Sequence, residues 1–176
     1  RIYRMTENIF GKRMICDPYM GDRRLAALGV EERYTLEDVL RGSDVVTIHT
    51  PLNEETRYLI DEEELRMMKP SAFLVNTARG AIVNTEALTK AVREGWIAGA
   101  GIDVYEVEPP PADLELFGLR NATLSAHLGW MSVEAGWDIR EKIMQDVDLF
   151  LAGKPPRFTV NEEVEAVLCG AAYRQV

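Results

Sequence analysis

The sequence is poor in cysteine, in long apolar runs and in positive charge. Its two cysteines, Cys16 and Cys169, lie far apart and show no metal-ligand spacing. That excludes a disulfide-rich scaffold, leaves room for one disulfide at most, and fits a reducing, cytoplasmic setting with no metal site. No apolar run approaches the roughly 18 residues needed to span a bilayer, so no membrane partner is expected. No basic-then-apolar leader opens the chain, so secretion is not expected either. Twenty Lys and Arg stand against 29 Asp and Glu, a net charge of −9. No basic stripe offsets it, which argues against nucleic acid as a main partner.

What remains is ordinary globular material. The 176 residues are 47% hydrophobic and 28% charged, as in one soluble domain or slightly more. The chain opens on Arg1 rather than Met, which leads us to expect a processed, trimmed or incompletely recorded sequence.

Short apolar runs alternate with helix-like segments. Arg13-Met14-Ile15-Cys16 ends at Asp17-Pro18, and Asp44-Val45-Val46-Thr47-Ile48 ends at His49-Thr50-Pro51. Phe73-Leu74-Val75 ends at Asn76-Thr77-Ala78-Arg79-Gly80. Gly99-Ala100-Gly101-Ile102 ends at Asp103, and Ala122-Thr123-Leu124-Ser125-Ala126 ends at His127. Such runs suit strands buried on both faces of a parallel sheet. Thr35 can cap a helix through Leu36, Val39 and Leu40. Asp61 with Glu64 reads as a capping box, and Pro70 stops the helix that follows. Thr85 opens a segment with Leu88, Ala91 and Val92 on one face, closed by Gly95. Ser132 opens the longest helix, in which Trp137, Met144 and Leu151 recur at heptad spacing; Gly153 and Pro155 end it. A weaker helix is expected over 162–168. Strands alternating with helices predict an α/β doubly wound fold.

In open α/β sheets, ligands bind at the carboxyl ends of the strands. Five apolar runs end in Asp17, His49, Arg79, Asp103 and His127. The coincidence puts an acid pair, an arginine and both histidines on one rim. Each has a structural reading beside the functional one. Asp17 before Pro18 is either a turn former or the acid that bonds ribose hydroxyls and favours NAD over NADP. Arg79 is either a surface residue in a glycine turn or a two-pronged carboxylate clamp. His127 is either structural or a proton carrier at neutral pH. Glu108 belongs to a solvated acidic loop, or orients the His127 ring. Asp103 can cap a turn, and His49 can be a plain loop residue. Trp130 is either core or interface, or an apolar wall of a substrate pocket.

Taken in order, these strings match a known family. Asp17-Pro18-Tyr19, His49-Thr50-Pro51-Leu52 with Glu55-Thr56, Asn76-Thr77-Ala78-Arg79-Gly80, Gly101 through Pro109 and Ala126-His127-Leu128-Gly129 follow one another at family spacing. The chain resembles the NAD-binding domain of the D-isomer-specific 2-hydroxyacid dehydrogenases from about Phe10 to Val164. Within that family it resembles the phosphoglycerate dehydrogenase-like members, and His127-Leu128-Gly129-Trp130-Met131-Ser132 is also similar to the C-terminal-binding-protein branch. The resemblance implies a Rossmann-like doubly wound parallel sheet, NAD as cofactor and a small 2-hydroxy or 2-oxo acid as substrate. It implies Arg79 as substrate clamp, His127 as acid/base and Glu108 as its carboxylate partner. Asp17 matches the ribose-binding acid, and Asp103 the aspartate near the nicotinamide carboxamide. His49, Thr50, Pro51, Thr56, Thr77, Ala78 and Gly129 match positions lining the cofactor, together with Arg79 and His127. Trp130 matches a tryptophan that faces the substrate. A homodimer is the family's expectation.

The chain departs from the family at its start. The first strand and its Gly-x-Gly-x-x-Gly turn are expected to be lacking, with Tyr3 in the place of the third glycine. We therefore expect residues 1–153 to form an NAD-binding domain incomplete at its N-terminus. Residues 154–176 are expected as a tail that packs on a substrate domain not included here. The function expected is an NAD-dependent oxidoreductase of the phosphoglycerate or glycerate dehydrogenase kind. The alternatives are a non-catalytic, dimerising NAD(H)-binding module of the corepressor kind, and an inactive fragment.

Overall fold

A computed structural model describes residues 2–30 and 32–157 of the chain. The helix expected over 162–168 and Cys169 lie outside the described residues. Two compact units are present, Arg1–Leu128 and Gly129–Val176.

The first unit is built on a four-stranded sheet in the order β1-β2-β3-β4. The strands are β1 (Val45–Ile48), β2 (Phe73–Asn76), β3 (Gly99–Ile102) and β4 (Ala122–Leu124). Every pairing is parallel, with Val45 opposite Phe73, Phe73 opposite Gly99, and Ala100 opposite Ala122. Parallel neighbours need crossovers. Helix α4 (Glu62–Met67) links β1 to β2, and α5 (Thr85–Glu94) links β2 to β3. The last crossover carries only a 3₁₀ turn, Glu115–Gly118. Ahead of β1 lie α1 (Ile2–Met5), α2 (Asp22–Ala27) and α3 (Leu36–Gly42).

The caps explain where these helices start. Thr35 and Asp38 form a reciprocal capping box on α3, as do Asp61 and Glu64 on α4. On α5 the cap is Asn84, whose side chain accepts from the amides of Glu86 and Ala87. Gly95 closes that helix at φ 74°, a left-handed conformation that suits glycine.

Leu40, Leu65, Leu74, Leu88, Ile82 and Ile97 are fully buried in one cluster between the helices and the sheet. Burying such a side chain is worth about 1.5–3 kcal/mol. This core fixes the strands, and the strands fix the loops at their carboxyl ends.

Two expectations need correction. Arg13–Cys16 forms no strand: it finds no ladder partner among the described residues, and the Asp17-Pro18 turn ends it. Nor are all strands buried on both faces. Along β1 and β2 burial alternates, leaving Val45 41% and Phe73 48% exposed. The helices carrying Leu40, Leu65 and Leu88 cover one face of these two strands. Only β3, whose first three residues are Gly, Ala and Gly, is buried almost throughout.

The second unit contains α6 (Val133–Leu151). Ser132 caps it by accepting from the Ala135 amide at 3.0 Å. Its heptad residues Trp137, Met144 and Leu151 are exposed.

Candidate active site at the carboxyl ends of the strands

Four strands deliver their chemistry to the same edge. His49, Thr50 and Pro51 follow β1, Thr77 to Arg79 follow β2, Asp103 follows β3, and His127 lies three residues past β4. Between the loops 49–52 and 77–79 opens a cleft of about 570 Å³.

The floor of this edge is a buried polar frame. Asn76 is 1% exposed and Asp103 4%. The Asn76 side chain donates to the Arg79 carbonyl at 2.9 Å and accepts from the Ala78 amide at 3.0 Å. It therefore shapes the turn that presents Arg79. Its own carbonyl accepts from the Asp103 amide at 3.0 Å. Asp103 Oδ1 then accepts from Ser125 Oγ at 2.5 Å and from the Leu128 amide at 2.8 Å. The Asp103 carbonyl accepts from the His127 amide at 2.8 Å. A buried carboxylate needs such partners to be tolerated.

That frame holds His127 at φ 56°, a conformation few residues other than glycine adopt. The backbone thus brings the imidazole to Glu108, with Nδ1 and Oε2 2.8 Å apart. The other Glu108 oxygen accepts from the Tyr105 amide at 3.0 Å. The His127 contact and the Tyr105 amide hold the Glu108 carboxyl below the usual range, against a small opposing effect of burial, and the charge of Arg79 adds to the lowering. A carboxylate can only accept, so Nδ1 carries the proton of this pair. Nε2 is then the nitrogen left for proton exchange.

Arg79 itself is exposed, with Nη1 on the Ala78 carbonyl at 2.7 Å. Gly80 explains how it comes so close to the Glu108 loop. A Cβ at Gly80 would lie 1.9 Å from the carbonyl carbon of Tyr105. Only glycine lets the two backbones meet.

The remaining expected residues divide by what occupies them. Thr50 Oγ1 is buried without a hydrogen-bond partner beside the cleft. Such a group waits for a polar ligand, so the loop fits a cofactor rich in hydroxyls and amides. His49 Nε2 lies 3.0 Å from Thr47 Oγ1, and burial lowers its pKa. Thr56 is engaged within its own loop, donating to the Pro51 carbonyl at 2.6 Å. Asp17 accepts from the Tyr19 amide at 3.0 Å, the turn-forming role, and stays half-exposed. Tyr19 in turn donates to Glu55 in the loop after β1. Asp103 is buried, with Oδ1 bonded to Ser125 and to the Leu128 amide. Gly129 and Trp130 belong to the second unit. No cluster of three metal-ligating side chains occurs among the described residues. No helix there is long and apolar enough to cross a membrane.

Sequence reasoning assigned no role to Asn76, Ser125, Tyr58, Glu106 or Gly80. Only Asn76 left a signal, a polar residue on the buried side of an apolar strand.

Residues 2–129 match the family described as D-isomer specific 2-hydroxyacid dehydrogenase, NAD binding domain. The chain is 49% identical over 140 residues to a glyoxylate reductase of Thermococcus kodakarensis, covering 80% of this chain and 41% of that protein. A glyoxylate reductase of Pyrococcus furiosus is also 49% identical, over 137 residues, covering 78% of this chain and 40% of that one. Among solved structures, the apo D-mandelate dehydrogenase of Rhodotorula graminis superposes with a TM-score of 0.78 at 33% identity, covering 90% of this chain and 46% of its own. An NAD-complexed D-isomer specific 2-hydroxyacid dehydrogenase of Lactobacillus delbrueckii gives 0.80 at 27% identity, over 90% of this chain and 52% of its own. The chain thus spans about 40% of the length of the curated relatives it matches. The parallel sheet, the loops at its carboxyl edge and these matches lead to one assignment: the chain belongs to the D-isomer specific 2-hydroxyacid dehydrogenases, in the Rossmann-like domain that binds their NAD.

Proposed function

We propose that this chain is the cofactor-binding part of an enzyme that interconverts a D-2-hydroxy acid and its 2-oxo acid. The observation that carries the reading is the His127–Glu108 pair, 2.8 Å apart, on the same sheet edge as the Arg79 clamp. NAD, when bound, supplies the hydride acceptor. His127 takes the substrate hydroxyl proton on Nε2 as the carbonyl forms, and Glu108 stabilises the imidazolium that results. Arg79 holds the carboxylate and the developing oxygen in its two-pronged fork. In reduction the same proton returns. Thr50, His49, Pro51, Thr56, Thr77, Ala78 and Asp103 line the cofactor in this reading. Asp17 bonds the adenosine ribose.

The relatives named glyoxylate reductase favour a small 2-oxo acid of the glyoxylate kind over a phosphoglycerate. A homodimer in a reducing compartment completes the proposal, and analytical ultracentrifugation reads the mass.

The test uses the 176-residue chain. NADH is titrated while energy transfer from Trp96, Trp130 and Trp137 is followed, and glyoxylate is then added. Saturable binding followed by NADH oxidation is expected. His127→Ala should leave binding in place and lower turnover about 10²–10⁴-fold. Equal turnover in the variant removes His127 from the reaction. Tight binding with no turnover in either protein favours a sensing module instead.

A further inference from the structure

Two residues other than glycine hold a positive φ among the described residues, Tyr58 at 53° and His127 at 56°. Bulky side chains rarely adopt this conformation, and it persists where neighbours impose it. The two rings end on carboxylates of the same short loop. His127 meets Glu108, and the Tyr58 hydroxyl donates to Glu106 Oε2 at 2.7 Å. Glu106 has a second grip, because the Thr85 amide at the start of α5 donates to its Oε1 at 2.7 Å. Tyr58 is anchored in turn: its amide donates to the Ala81 carbonyl at 2.8 Å, and the Arg57 guanidinium lies 4.9 Å over its ring. Between the two carboxylates there is little slack. The Tyr105 carbonyl rests on Gly80, so the loop cannot move toward the Arg79 turn.

We propose that Glu106 is a positioning residue: by gripping Tyr58 and Thr85 it fixes the 105–108 loop where Glu108 meets His127 Nδ1. The inference rests on the reading of His127 as the proton carrier and deepens it. Burial pushes the Glu106 carboxyl up, yet the hydrogen bonds from Tyr58 and Thr85 and the charge of Arg57 outweigh it and hold Glu106 ionised. An ionised carboxylate accepts both donors at once, as the geometry requires. Glu106 touches no reacting atom. Its effect reaches the chemistry only through the proton on Nδ1.

That proton can be read directly. The chain has two histidines, so nitrogen-15 signals from labelled imidazoles are assigned without ambiguity. In alkaline solution the ring is neutral, and the signals report the ratio of the Nδ1–H to the Nε2–H tautomer. Glu108→Ala calibrates the readout and should lower the His127 ratio about tenfold, the equivalent of one lost charge-assisted hydrogen bond. Glu106→Ala and Tyr58→Phe should each lower it roughly threefold or more, with His49 unmoved. Glu106→Gln should restore it, since an amide can still accept from Thr85 while the Tyr58 hydroxyl turns to accept. If Glu106→Ala and Tyr58→Phe leave the ratio at its original value while Glu108→Ala moves it, Glu106 merely supports the fold and the proposal is overturned. A lower melting temperature with an unchanged ratio counts the same way. If Glu108→Ala has no effect, the His127–Glu108 pairing is absent in solution and the proposal falls with it. Should Glu106→Ala not fold, Tyr58→Phe, which removes one hydroxyl, decides alone. The ratio is read without cofactor or substrate, so absent turnover would overturn the dehydrogenase reading and leave this result standing.

Discussion

Gly80 has no room for a side chain. Its neighbour there is the carbonyl carbon of Tyr105, a backbone atom that no rotamer change can move aside. Gly80→Ala should therefore cost about 3 kcal/mol, the upper part of the range for overpacking. Urea denaturation followed by circular dichroism measures it, and an unchanged midpoint would mean that the two loops separate freely. Arg79 and His127 stood out in the sequence because each follows an apolar run, and Glu108 because it lies in an acidic loop between those two positions; the 2.8 Å approach of Glu108 to His127 is what the structure adds. Tyr58 and Glu106 were not. They lie 48 positions apart, and neither a left-handed backbone nor a hydrogen bond across that distance leaves a pattern in the chain. Asp17 was legible in two ways, and the turn-forming way is the one its hydrogen bond to Tyr19 displays.

Caps decide where the helices of the sheet edge begin. Asn84 satisfies two amides at the start of α5, directly beside the Thr85 amide that holds Glu106. Asn84→Ala should cost about 1 kcal/mol. Its thermal midpoint should fall by a few degrees with the cooperativity of unfolding intact. No fall at all would show that water replaces the cap. The sequence pointed to Thr85 as the opening residue, and α5 does begin there; what the sequence reading did not name is the cap before it, Asn84. The other starts, at Thr35, Asp61 and Ser132, were readable because a capping side chain precedes a clear apolar face. Arg13–Cys16 was misread for the opposite reason. An apolar run states a preference for the extended chain, but a strand exists only with a partner, and partnership is a property of the sheet. Burial of both faces failed on β1 and β2 for the same cause, because an apolar run does not reveal what covers it.

The parallel α/β class was legible because helices alternate with strands and parallel neighbours require crossovers, but the strand count was not: five apolar runs were expected as strands and four pair among the described residues. Charge behaves differently, since it acts over the entire chain. Several carboxylates are held below their ordinary range by partners: Asp38 by Thr35, Glu62 by Arg66 and Lys90, and Glu108 by His127. A carboxyl lowered on folding contributes stability that is complete above its unfolded value and lost as pH falls through its folded value. The melting temperature should hence decline slightly from neutral pH to about 5, where His49, lowered by burial, protonates more readily in the unfolded chain, and drop further below about 4 as the carboxylates protonate. A scan of thermal unfolding against pH checks this; a rise in that acid window would mean that relief of the −9 net charge dominates instead. Gly80 and Tyr105 also tie the molecule's history together. With backbone resting on backbone, a drift in the arginine turn has to be answered by a drift in the carboxylate loop, or the chain is lost to selection. The clamp and the proton-carrying pair are therefore inherited as one unit, and substitutions in one should be found together with substitutions in the other.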